Sequence, residues 1–370
     1  MKSQKLFCVL FFVVLAAFAL LTVLLPATEF SPNENRNLAQ FPELTVDSVL
    51  SGRFQSGLAD FLSDQIPGRE FWIRTNTGIK KWLGKTEING VYLGSDGYYF
   101  QQFTENSYDA ARKDAIFALL QQFSQKTDAK VSILMVPTPA AVLSSKLPAN
   151  APMYDADAMW ESMKAATADC QFIDLREAFA ASNEQLYYRT DHHWTNDGAY
   201  LAYTAFCEAM GLTAKPMDSF DVQQVSDSFL GTIYSKTLDA AARPETIHAP
   251  QELPKLTVTF DGKQTSDSIY AEEFLEKKDQ YAYFFGGNWG RVDIDTGVDN
   301  GKRLVIVKDS FANSFVPYLL GEYEQITMLD LRYFGGNVQQ TVADAGADEV
   351  LFLYEMTNLL TDTGIIKLAR

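Results

Sequence analysis

The sequence predicts an α/β fold, a doubly wound sheet of mostly parallel strands with helices on both faces. Three observations carry this expectation. Val131–Val136, Phe172–Leu175, Leu304–Val307, Ile326–Leu329 and Val350–Tyr354 are short, mostly apolar runs, as expected of parallel strands covered on both faces. Stretches of helical periodicity lie between several of them. One run, Leu304–Val307, leads straight into Lys308-Asp309-Ser310 and then an apolar, helix-like Phe315–Leu320.

The elements follow in order. Lys2 and Lys5 precede an apolar run from Leu6 to Leu25 that only Thr22 interrupts. Its 20 residues match the roughly 20 that span a bilayer and exceed the roughly 7–15 of a signal-peptide core. Positive charge ahead of the run keeps the N-terminus cytoplasmic and exports the remainder. Leu25-Pro26-Ala27-Thr28-Glu29 is a poor cleavage site, so residues 1–28 are expected to stay as a single-pass membrane anchor, a cleaved signal being the alternative. Residues 29–90 are polar and helix-prone and read as a linker or strap that packs on the main domain, residues 91–370.

Within that domain Val91–Gly94 and Tyr98–Phe100 flank Ser95-Asp96-Gly97, a hairpin signal. A helix starts near Ser107, with Ile116, Leu119, Leu120 and Phe123 on its apolar face. A second helix runs from Thr195 or Asn196 as N-cap to Gly211 as stop, burying Ala202, Ala205, Phe206 and Ala209. From about 212 to 300 the composition shifts to Asp, Ser, Thr and Gly, with β-like pieces at Leu256–Phe260 and Tyr281–Phe285. This stretch reads as an inserted lid on the substrate side.

Charge and cysteine content narrow the function. All 47 acidic residues follow residue 28, against 29 Lys and Arg, and no basic stripe is present. A surface of that sign repels phosphate backbones, which argues against nucleic acid and is compatible with a neutral polymer such as a polysaccharide. Cys170 and Cys207 are expected to be buried free thiols, since nothing in the pattern links them.

The chain has three histidines, and two are adjacent in Thr190-Asp191-His192-His193-Trp194-Thr195. Imidazole is the usual proton carrier near neutral pH, so a hydrolase or acyl transferase here would use one of them. His248 lies in the loop-like Ile247-His248-Ala249-Pro250. In an extended segment Asp191 and His193 share a side and His192 points away. Asp191 and His193 are therefore the expected working pair, the carboxylate orienting the ring. Adjacent ligands diverge and no cysteine lies near, so no metal is expected. Ser310, on a tight strand-to-helix turn, is the expected nucleophile at the carboxyl edge of the sheet. Its own N–H, with Asn288 or Arg332, is a candidate oxyanion donor set.

The run Thr190-Asp191-His192-His193-Trp194 resembles the signature of the bacterial DHHW protein family, which is similar to the SGNH-hydrolase-like alginate O-acetyltransferases. The likeness extends through Glu34-Asn35-Arg36, Phe41-Pro42-Glu43-Leu44, Asp64-Gln65-Ile66-Pro67-Gly68-Arg69 and Gly94-Ser95-Asp96-Gly97-Tyr98. It continues in Phe285-Gly286-Gly287-Asn288, Lys308-Asp309-Ser310 and Asp330-Leu331-Arg332-Tyr333. The resemblance implies an SGNH-like domain in which the Asp-His element precedes the serine, a permuted motif order. It also implies a Ser310–His193–Asp191 triad, acyl transfer to sugar hydroxyls outside the cell without a cofactor, and a membrane-embedded acyl carrier protein as partner. No carbohydrate-binding module is recognisable in the sequence after this domain, so tight polymer binding is not expected. An esterase with the same triad differs only in using water as acceptor. A non-catalytic glycan-binding protein, with Trp194 and Trp289 as stacking surfaces, is the expectation from a different class.

Overall fold

The structure is a computed structural model and describes residues 2–369. It divides into two compact units: the segment ending at Asn89 together with Tyr234–Ala242, and Gly90–Ile233 together with the segment from Arg243 onward.

In the first unit, helix α1 (Lys2–Leu24) is long and apolar enough by length and composition to cross a membrane. Two further helices, Arg53–Asp64 and Arg69–Trp82, follow. The polar motifs of this region bind one another. Arg36 holds Asp64 at 2.6 and 2.8 Å, and Arg69 holds Glu34 at 2.7 and 3.0 Å. Thr77 Oγ1 donates to the Thr237 carbonyl at 2.6 Å, tying Tyr234–Ala242 to the same unit.

The second unit is built on an eight-stranded sheet. Its strands in chain order are β1 (Lys130–Val136), β2 (Gln171–Asp174), β3 (Thr257–Phe260), β4 (Gln264–Ser266), β5 (Arg291–Asp295), β6 (Arg303–Lys308), β7 (Gln325–Leu329) and β8 (Glu349–Glu355). The spatial order is β4-β3-β5-β7-β6-β8-β1-β2. The run from β7 to β2 is parallel and coincides with the five apolar runs of the sequence. β3, β4 and β5 extend the β7 edge antiparallel, so the second half of the 212–300 stretch adds strands to the sheet. β3 and β5 alternate instead of running apolar: in β5, Val292 and Ile294 are buried between Arg291, Asp293 and Asp295. The Tyr281–Phe285 piece, expected to be β-like, forms a short 3-10 turn over Gln280–Tyr283.

Alternate side chains of each parallel strand feed two cores. Val131, Ile133, Val305, Val350 and Phe352 meet Phe117 and Leu120 of α2 (Ala110–Ser124), Trp160 of α3 (Ala156–Ala166) and Val338 of α6 (Val338–Ala345). Leu134, Leu304, Ile306 and Leu351 meet Tyr203 and Phe206 of α4 (Asn196–Met210) and Phe315 of α5 (Ala312–Leu319). Thr195 caps α4 and Gly211 ends it at φ 70°, as the sequence predicts. Connection β6–α5–β7 runs to one neighbour of β6, while β7–α6–β8 returns to the other. The carboxyl end of β6 is therefore a topological switch point, where open α/β sheets form their crevices. Cys170 and Cys207 are free and buried.

Candidate active site

Asp309 and Ser310 make the turn between β6 and α5. The Asp309 carboxylate pins that turn. Oδ1 accepts from the Phe311 N–H at 2.9 Å, and Oδ2 accepts from the Glu355 N–H and from Asn358 Nδ2, both at 2.8 Å. Ser310 is thereby held by the end of β8 and by α7 (Met356–Thr361). Its Oγ lies 2.7 Å from His193 Nε2, within reach for proton transfer.

The histidine run reaches this edge from a loop. Thr190–His193 is a series of bends, not an extended segment, so strand alternation does not set its side chains. Instead Asp191 Oδ1 accepts the His193 backbone N–H at 2.9 Å and lies 2.5 Å from Nδ1 of the same ring. One carboxylate oxygen thus fixes both backbone and ring of His193. His192 does not point away: its Nδ1 lies 2.9 Å from Thr232 Oγ1, and its ring centroid is 3.9 Å from that of His193.

Residues far away in sequence complete the holding of Asp191. Its Oδ2 accepts from the Thr232 N–H at 2.6 Å and Thr232 Oγ1 at 2.9 Å. A Cβ on Gly231 would stand 2.2 Å from Asp191 Cβ, so only glycine fits this approach. Burial drives the Asp191 carboxyl pKa upward, but His192, His193 and the Thr232 N–H outweigh it and hold it well below the usual carboxylate range. The loop's other anchor is Glu245, whose carboxylate accepts from the N–H groups of Arg189 and Thr190 and from Thr190 Oγ1, each at 2.9 Å. Thr190 Oγ1 in turn accepts the Gly231 N–H at 3.1 Å.

Aromatic packing fixes the imidazole plane. The Tyr281 ring stacks on His193 with centroids 3.8 Å apart and 12° between planes. Its hydroxyl lies 2.8 Å from Ser314 Oγ. Trp194 is fully buried, donating from Nε1 to Ser314 Oγ at 2.8 Å and to the Phe311 carbonyl at 3.1 Å. It offers no face to a ligand, which corrects its reading as a stacking surface and makes it a brace between the histidine loop and the serine turn.

The candidate oxyanion donors sit differently. Ser310 N–H has no hydrogen-bond acceptor among the described residues. Asn288 follows three consecutive positive-φ residues, Phe285, Gly286 and Gly287, and is carried to the serine side of the sheet edge. Its Oδ1 accepts from Lys308 Nζ at 3.2 Å and Asn313 Nδ2 at 3.4 Å, and its amide N–H₂ has no hydrogen-bond partner among the described residues. Arg332 is not directed at Ser310. It grips buried Asp330 at 2.5 and 2.8 Å, and Asp330 stands 3.9 Å from Lys308 Nζ. Lys308 is 1% exposed, and burial, against the pull of Asp330, brings its ammonium pKa down to about 8.

Asp191, His192 and His193 offer ligand atoms within 4.8 Å of one another. Both His193 nitrogens face hydrogen-bond partners, however, and both Asp191 oxygens accept bonds. As arranged, these atoms are taken up by hydrogen bonds to one another, to Thr232 and to Ser310. Sequence reasoning missed Gly231, Thr232, Glu245, Tyr281, Lys308 and Asn313. A glycine–threonine pair and an isolated tyrosine carry no signal until the chain brings them to the loop. The one available hint was Lys308, a charged residue closing an apolar strand.

The DHHW protein family model matches residues 89–329, well over half of the chain. The chain belongs to the DHHW family. A DHHW family protein from Eubacterium siraeum, solved by crystallography, is 26% identical with a TM-score of 0.65, covering 76% of this chain and 96% of its own. Bacillus cereus PatB1, solved with a sulfonyl adduct, is 23% identical with a TM-score of 0.63, covering 75% of this chain and 97% of its own. PatB1 shares the fold; so does its structure without the adduct, at a TM-score of 0.61, 22% identity and coverage of 73% and 97%. No curated protein matches the sequence. The DHHW signature coincides with Asp191–Trp194, the four residues that link the loop to the serine turn.

Proposed function

We propose that this DHHW protein is an extracytoplasmic serine-dependent O-acyltransferase that acetylates hydroxyls of an exported or cell-envelope polysaccharide. The observation that carries the reading is the unbroken series Asp191–His193–Ser310, at 2.5 and 2.7 Å, on a parallel-sheet switch point. A module that only bound glycan would have no use for a serine hydroxyl on an oriented imidazole.

The chemistry is two acyl transfers in sequence. His193 Nε2 takes the Ser310 proton while Oγ attacks the donor carbonyl, and the donor's leaving group departs with that proton. Ser310 N–H and the Asn288 amide receive the oxyanion. The acceptor hydroxyl then gives its proton to His193 and attacks the acyl-serine, forming the sugar ester and restoring Ser310. Asp191 keeps the proton of His193 on Nδ1 throughout, which its low pKa and four accepted bonds suit. With residues 1–28 as an anchor, the acyl group is delivered at the membrane, and a membrane-bound acyl carrier protein is the natural donor.

The test is to treat the protein with phenylmethanesulfonyl fluoride and to incubate it with an acetyl donor and envelope oligosaccharides. Sulfonylation of Ser310 and acetylated sugar by mass spectrometry are expected. Fast ester hydrolysis without acetylated sugar would make the protein an esterase, and no acyl chemistry at all would leave a binding protein.

A further inference from the structure

Beside the histidine loop lies a cavity whose lining includes none of Asp191, His193 and Ser310. It has a volume of about 500 Å³, within the roughly 300–1,000 Å³ of small-molecule sites. Tyr188 and Arg189 line it from before the loop, Thr195–Asp197 from after it, and Glu245, Thr246 and His248 from a further strand, with Pro244 just ahead of it. His248, expected in a loop, is on that strand, Glu245–Pro250.

We propose that this cavity is a saccharide subsite, which binds a neutral sugar unit of the acceptor chain next to the reacting one. Its identity as a sugar site rests on the polysaccharide reading above. Six planar polar side chains face it: Gln185, Arg189, Asn196, Asp197, Glu245 and His248. Three are held ready by the protein itself. Gln185 Nε2 donates to Glu245 Oε1 at 2.9 Å, Glu245 accepts from the loop, and Asn196 Oδ1 accepts from the Tyr318 hydroxyl. The Asp197 carboxylate and the His248 ring have no hydrogen-bond partner among the described residues, and the Arg189 guanidinium, 3.7 Å from Glu245 and over the Tyr98 ring at 5.5 Å, has no side-chain hydrogen bond among them. They are left to serve a ligand.

The charges select the ligand class. Two carboxylates against one guanidinium disfavour phosphate or polyanions, and the polar walls disfavour apolar ligands. A vicinal diol satisfies what remains: it donates to Asp197 and accepts from Arg189 and His248. The position also couples binding to chemistry, because Glu245 both lines the cavity and holds Thr190 of the histidine loop.

The experiment uses the full chain carrying Ser310→Ala in lipid nanodiscs, titrated with cellotetraose and chitotetraose and read by saturation-transfer NMR. At least one tetrasaccharide is expected to bind. Asp197→Ala and His248→Ala should each raise its Kd tenfold or more without moving Tm, and Asp197→Asn should recover part of the loss. Absence of saturation transfer from both sugars, or Kd values unchanged in both alanine variants, would overturn the subsite. Because no acyl step is measured, failure of the acyltransferase reading registers separately, as lack of turnover in the chain with Ser310 intact.

Discussion

One carboxylate does several jobs at Asp191. It fixes the His193 backbone, orients the His193 ring, and is itself fixed by Thr232 through a gap that only Gly231 leaves open. Asp191→Asn keeps the shape but puts an amide where the Nδ1 proton must be accepted, favouring the wrong tautomer. We expect kcat for p-nitrophenyl acetate to fall by roughly 10³–10⁴-fold; a loss smaller than tenfold would remove Asp191 from the mechanism. We expect the two histidines to divide the work unequally, since His193 is the ring bonded to Ser310. His193→Ala should abolish turnover, whereas His192→Ala should cost about tenfold, consistent with a ring that packs on His193 and Phe311, bonds Thr232 and lies 3.5 Å from Asp191. A folded His192→Ala protein without turnover would reverse the assignment.

At the scale of elements, the end of β8 carries a charge burden of its own. Glu355 is buried, caps α7 by accepting the Asn358 N–H at 3.0 Å, and leaves Oε1 without a hydrogen-bond partner among the described residues. Burial pushes its pKa up to about 7 from a usual 4.5. The folded state therefore holds a proton that the unfolded chain gives up between those values. Its contribution to stability is full below pH 4.5 and is lost as pH rises to about 7, on the order of 3 kcal/mol for a shift of this size. Urea unfolding at pH 5 and pH 8 should show this loss, and Glu355→Gln should flatten it; an equal pH dependence in the variant would place the titration elsewhere. Lys308 acts in the opposite pH range. With its pKa lowered to about 8, it disfavours folding at neutral pH and ceases to do so as pH rises from there towards its unfolded value.

For the whole molecule, location is the open variable. Helix α1 spans 23 residues and is apolar from Leu6 onward, long enough to remain in a bilayer. We predict that the mature protein keeps it. Intact-mass measurement of protein from native membranes should return the full N-terminus, while a mature end near Ala27–Ser31 would mean a cleaved signal and a freely diffusing product.

What the sequence determined by itself was whatever depends on local pattern. The five parallel strands were legible because strands covered on both faces run mostly apolar, a pattern that even the half-exposed edge strand β2 keeps at Phe172 and Ile173, and α4 was legible from Thr195 and Gly211 at its ends. His193 and Ser310 stood out because histidine is scarce and because a serine follows a strong strand. The tertiary structure decided the rest. It brought Thr232, Glu245 and Tyr281 to a loop 40 or more residues away in the chain. It also turned the alternating runs after Thr257 into antiparallel strands at the sheet edge, a pattern that edge strands share with ordinary surface segments. The physical reason is the same in each case: a periodic run records its own burial, but a hydrogen bond across the fold records the packing of two segments and leaves no mark in either one alone.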